Sequence, residues 1–177
     1  MKRSYSVPEL CKAANKNFCY AIEDGSLYLA DKCGTFGLVT KDLSLLEELQ
    51  KRAGVKLETR SPARSLQMIL DTKDTEQTWD TGITIPRSAG YCRVVRVPGK
   101  NDDHIVLINE DKLAPFKPEI VTGTNRKSPL ILICPDCFAI ICPVNNTDEK
   151  LTARLLALDE ALHGSREEKP ARAWADL

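Results

Sequence analysis

The sequence predicts an α+β fold with mostly antiparallel sheets and short helices packed on one side. Three observations carry this. Alternating apolar residues come in short groups of strands set apart by turn signals, such as Glu23-Asp24-Gly25 and Asp31-Lys32-Cys33-Gly34. The helical stretches between these groups are short. Two almost wholly apolar runs, 128–134 and 138–144, are joined by Pro135-Asp136. They read as a hairpin buried on both faces, as between a sheet and a second layer. The order helix, strand group, helix, strand group hints at an internal duplication, although no repeat is visible in the residues.

Residues 1–6 fit a short strand. Ser6 is placed to cap a helix through about Asn15, and Pro8 suits its first turn because an amide there has no intrahelical partner. Phe18 to Ile22, Leu27 to Ala30 and Phe36 to Val39 then form an antiparallel meander. Lys41 to Ala53 is a helix capped at Asp42 or Ser44, with Leu45, Leu46 and Leu49 on one stripe and Gly54 as its stop. Signals weaken over 55–88. Ser65 to Leu70 suits a strand or a short helix, and 71–80 a polar loop anchored by Trp79.

Tyr91 to Val97 alternates until the loop Pro98-Gly99-Lys100-Asn101-Asp102-Asp103, and Ile105 to Ile108 is a strand. Asn109 or Asp111 caps a helical turn toward Phe116, which Pro115 and Pro118 interrupt. Ile120 to Thr122 precedes the apolar hairpin. Thr147 or Asp148 caps a last helix to His163, with Leu151, Leu155, Leu158 and Leu162 on one side. The expected organisation is a domain over 1–146, an added amphipathic helix over 147–163 and a loose tail over 164–177.

Lys+Arg and Asp+Glu each number 25, and this zero net charge lacks the basic signature of an autonomous nucleic-acid binder. No apolar run approaches the ~18 residues of a membrane span. The first six residues lead into no apolar stretch, so no signal peptide is expected and a reducing cytoplasm is the expected location. The seven cysteines are accordingly expected as free thiols. Two distant histidines are thin material for a metal site or a general base, so no metal and no cofactor are expected.

Cys134-Pro135-Asp136-Cys137 is a C-x-x-C. A structural zinc would need a second ligand pair, and a redox pair gains most from opening a helix, whereas this one sits between two strands. It is read first as a turn with incidental cysteines. Asp102-Asp103-His104 is read as solvated loop charge. Gly34-x-x-Gly37 lacks the helix and lysine of a phosphate loop.

Ile105-Val106-Leu107-Ile108-Asn109-Glu110-Asp111-Lys112-Leu113, the Ser128-Pro129-led strand and the closing Phe138-to-Val144 strand together resemble the last half-domain of the DNA sliding clamps, the DNA polymerase III beta subunit and its relatives. Leu27-Tyr28-Leu29-Ala30-Asp31 is similar to the clamp strand ending in Thr-Asp, with Ala30 in place of the Thr. Short phage and prophage proteins share this layout. The resemblance implies a non-enzymatic clamp-like domain that acts through a protein partner of the replication machinery. It maps partner docking onto Cys142, Pro143 and Val144, of which only the Pro and the apolar third residue agree with the clamp pattern. It maps weak DNA contact onto Lys51, Arg52, Lys112 and Lys117, offset by Glu47, Glu48, Glu110 and Asp111. A clamp ring uses six such domains, so a single domain would self-associate or work as a smaller species. The competing expectations are a phage or host interaction protein without DNA contact, and a small thiol or zinc enzyme centred on Cys134 and Cys137.

Overall fold

The computed structural model describes residues 2–72, 75–88, 90–124 and 127–164. Helix α1 (Val7–Ala13) starts where the Ser6 side chain accepts the Glu9 amide. Strands β1 (Asn17–Glu23), β2 (Ser26–Asp31) and β3 (Phe36–Thr40) form the expected meander. Asp24 and Gly25 both take positive φ, 50° and 76°, which a two-residue hairpin of this twist requires. Then come α2 (Ser44–Lys51), β4 (Lys56–Glu58), α3 (Ala63–Leu70), β5 (Glu76–Gln77), β6 (Trp79–Arg87), β7 (Gly90–Val97) and β8 (His104–Asn109). The chain continues through α4 (Glu110–Leu113), β9 (Ile120–Gly123), β10 (Leu130–Ile133), β11 (Cys137–Ile141) and α5 (Glu149–His163).

One sheet has the order β4-β1-β2-β3-β11-β10-β9-β5, and the other is β6-β7-β8. Every pairing is antiparallel except β1 with β4. The large sheet is doubled. Meander β1-β2-β3 and meander β9-β10-β11 meet through β3 and β11, so exchanging the two halves restores the strand order. Each meander follows a short helix, α1 or α4, and these two helices are in contact. Tyr5, just before α1, bridges Phe116, just after α4. The duplication hinted at by the element order is therefore present in the architecture.

Period-two alternation explains the layers. One face of the large sheet buries Phe18, Leu27, Leu29, Phe36, Leu38, Leu130 and Leu132 against α1, α2, α4 and the inner face of β7 and β8, which supplies Val95, Val97, Val106 and Ile108. The opposite face carries Val39 and Ile140 under α3 through Leu66. Gly37 makes that approach feasible, since a Cβ there would collide with the Leu66 side chain. The outer face of β7 and β8 presents Cys92, Val94, Ile105 and Leu107 to Leu155, Leu151 and Leu156 of α5. Helices on one side is thus right for α1, α2 and α4 only, because three faces of sheet needed covering.

Helix α5 is capped by Asp148, which accepts the Leu151 amide at 3.1 Å. Its buried line keeps Leu151 and Leu155 of the expected leucine stripe but not Leu158 and Leu162. Leu158 and Leu162 are 43% and 59% exposed, while Asp159 is 4% exposed. The buried guanidinium of Arg96 on β7 turns the helix this way. It donates to Asp159 at 3.0 Å, Asp103 at 2.7 Å and Glu160 at 3.2 Å. Asp103, expected as solvated loop charge, is therefore a buried ion-pair member. The helix expected as an appendage is a structural layer of the domain. Of the expected loose tail, residues 165–177 lie outside the described residues.

Candidate functional site

The N-terminal segment, the end of β3 and the β10–β11 turn converge on an open groove of about 1020 Å³. Phe138, 45% exposed, forms its apolar wall, and the exposed Lys2 and Lys41 stand at its edge. The Cys134-to-Cys137 reversal closes one end. The Cys134 amide donates to the Cys137 carbonyl at 3.0 Å, and the Thr40 hydroxyl donates to the Asp136 carbonyl at 3.0 Å. Ser4 locks the turn from the side. Its amide donates to the Asp136 carboxylate at 3.2 Å, its hydroxyl also donates there, and that hydroxyl lies 3.7 Å from Cys137 Sγ.

Both thiols are buried in the main core. The Cys137 thiol, donating to Cys134, lowers the Cys134 pKa more than burial raises it, and Ser4 adds to the lowering. The same hydrogen bond, then burial, pushes Cys137 up. The turn reading of the motif holds for the backbone, but these cysteines are interior, and Cys137 lies against the Ser4 hydroxyl.

Beside the turn lies a second network, centred on Asp42. Its carboxylate accepts from Arg3 Nε at 2.8 Å, from the Tyr5 hydroxyl at 2.6 Å and from the Ser44 amide at 3.1 Å. Arg3 also pairs with Glu48. Burial alone would raise the Asp42 pKa, but hydrogen bonds from Ser44, Tyr5 and Arg3 outweigh it and hold the carboxyl at about 2. Burial, followed by the hydrogen bond to Asp42, pushes the Tyr5 phenol up. Nothing in the sequence announces this network, because its members lie far apart along the chain.

This depressed pKa fixes an acid dependence. A carboxyl ionised more readily when folded contributes stability above its unfolded pKa of about 3.9, and loses it as pH falls through the folded value. Asp42→Asn should therefore destabilise the protein by on the order of 1–2 kcal/mol at pH 7 once partial exposure is discounted. The difference from wild type should shrink as pH falls below about 3.9 and vanish only below the folded value. Urea midpoints of both proteins measured at pH 7 and pH 2.5 check this, and a constant gap would contradict it.

The positions mapped for partner docking do not form one free edge. The Cys142 amide donates to the Thr35 carbonyl at 2.9 Å. Pro143 is half-buried. The Val144 amide donates to the Leu107 carbonyl at 2.8 Å, and its side chain packs with Leu107 and the α5 leucines. The mapped DNA-contact residues are dispersed in role. Lys51 and Lys117 are exposed, and Arg52 faces Glu48 at 3.9 Å. Lys112 is turned inward. Its ammonium lies 3.7 Å from buried Asp31, bonds the Ala13 carbonyl and sits over the Phe36 ring.

Among the described residues, no cluster of three or more His, Cys, Asp or Glu is arranged to hold a metal ion. Among them, no helix is long and apolar enough to cross a membrane. Comparison of the chain with protein-family models, curated proteins and solved structures gives no match.

Proposed function

We propose that this chain is a sliding-clamp-like domain, of the phage or mobile-element kind, that acts without catalysis through protein contacts in DNA replication or its modulation. The observation that supports it is the doubled architecture. Two helix-plus-meander halves join at β3 and β11, with α1 and α4 side by side. The clamp resemblance of residues 105–144 covers one of those halves, α4 with β9 to β11, together with β8 of the smaller sheet. A domain of this kind works either as a self-associated ring or as a smaller species competing with a clamp for its partners.

A primed-template extension assay with a clamp-dependent polymerase tests this. The full-length protein should change the product-length distribution, and light scattering of the same preparation separates ring from monomer. Product lengths unaltered at every ratio of protein to clamp would overturn the proposal.

A second reading, an interaction protein without DNA contact, is favoured by the charges on the paired helices. Lys112 is committed internally, and Lys12 faces Asp111 at 3.9 Å. It predicts no binding to duplex DNA by fluorescence anisotropy even at low salt, where phosphate contacts are strongest.

A further inference from the structure

We propose that Cys134 and Cys137 form a thiol–disulfide exchange site that reacts with small disulfides and closes to an intramolecular disulfide. The backbone geometry suits closure. Cys134 and Cys137 follow the Ile133–Phe138 pair in register, and the Cys134 amide donates to the Cys137 carbonyl at 3.0 Å; a hydrogen-bonded antiparallel pair holds its Cα atoms about 5.5 Å apart, within the ~4.4–6.8 Å that a disulfide spans. Both residues border the open groove, which gives a small oxidant its approach.

The two sulfurs are not equivalent. A C-x-x-C that opens a helix has the helix terminus to stabilise its attacking thiolate. Here the Cys137 thiol takes that part at Cys134, and the Ser4 hydroxyl lies 3.7 Å from Cys137 Sγ. Cys134 is therefore the attacking sulfur and Cys137 the resolving one. With oxidised glutathione, the Cys134 thiolate attacks one glutathione sulfur. The glutathione S–S bond breaks, and one glutathione leaves and takes up a proton. Cys137 then gives up its proton and attacks the Cys134 sulfur of the mixed disulfide, releasing the second glutathione as a thiol. Two protein thiols become one disulfide while one glutathione disulfide becomes two thiols. The proposal stands apart from the replication reading, since it concerns chemistry at the turn alone.

The test uses the full chain with Cys33→Ser, which removes an exposed thiol. After treatment with oxidised glutathione, acid quenching and alkylation under denaturing conditions, peptide mapping should find a Cys134–Cys137 disulfide that dithiothreitol reverses. Recovery of both cysteines as alkylated thiols would overturn the site. Adding Cys137→Ser should trap glutathione on Cys134, whereas adding Cys134→Ser should leave Cys137 with roughly tenfold less adduct. Equal adduct in the two variants would overturn the assignment of roles. The mapping on the protein that keeps both cysteines stands whether or not either variant folds.

Discussion

A chain ending at Asn146 is expected to fail as a soluble folded protein. Truncation there strips α5 from Cys92, Val94, Ile105 and Leu107, all of them at most 3% exposed in the intact chain. It also removes Leu151, Leu155 and Leu156, which complete that cluster. Each buried aliphatic side chain contributes about 1.5–3 kcal/mol. The cluster is therefore worth as much as the ~5–15 kcal/mol by which a typical domain is stable. Truncation also leaves Arg96 without Asp159 and Glu160. The expected result is aggregated material or a much lower denaturation midpoint. Size-exclusion chromatography and urea unfolding of the fragment check it. A monomer with the midpoint of the full chain would show that the outer face of β7 and β8 needs no cover.

Arg96→Leu should cost about 3–5 kcal/mol, because it removes from a buried site the cation that Asp103, Asp159 and Glu160 each pair with. Arg96 is 6% exposed, and its partner Asp159 is 4% exposed. Such a loss lowers the melting temperature by on the order of 10 °C in a chain of this size. Arg96→Leu combined with Asp159→Leu should recover part of the loss, since it also removes the buried carboxylate that Arg96 faced. Thermal melts of the single and double variants read this directly. A double variant less stable than Arg96→Leu alone would show that Asp159 depends on contacts other than Arg96.

The groove has a different standing. Its walls come from Lys2 and Arg3, from Ser26, from Val39 to Asp42 with Ser44, and from 134–138, which the pairing of β3 with β11 brings together. The Ser4, Asp136 and Cys137 contacts tie the N-terminal segment to this turn. The pocket and its thiols are thus consequences of the same junction that doubles the large sheet.

Local chemistry determined much of this protein in its sequence alone. Ser6 caps its helix as read, and Asn109 and Asp148 are the members of the expected pairs that cap theirs, since a cap needs only a short polar side chain within three residues of an orphan amide. The meander over 17–40 and the 130–141 hairpin were equally legible, because alternation and turn residues act between neighbours. Helix α3 was ambiguous, as six apolar-leaning residues satisfy either period until Leu66 finds the slot at Gly37. Only the tertiary structure decided which side of α5 is buried. Leucine spacing favours Leu158 and Leu162, and Asp159 takes the interior because Arg96, 63 residues away, offers it a buried partner. It likewise turned Lys112 from a surface charge into an interior one. The Arg3–Asp42–Tyr5 network and the contact between Ser4 and Cys137 depend on segments up to 133 residues apart. Such pairings leave no periodic trace, because ion pairs and hydrogen bonds are specified by where the folded backbone places their atoms, whereas caps, turns and alternation are specified within a few residues.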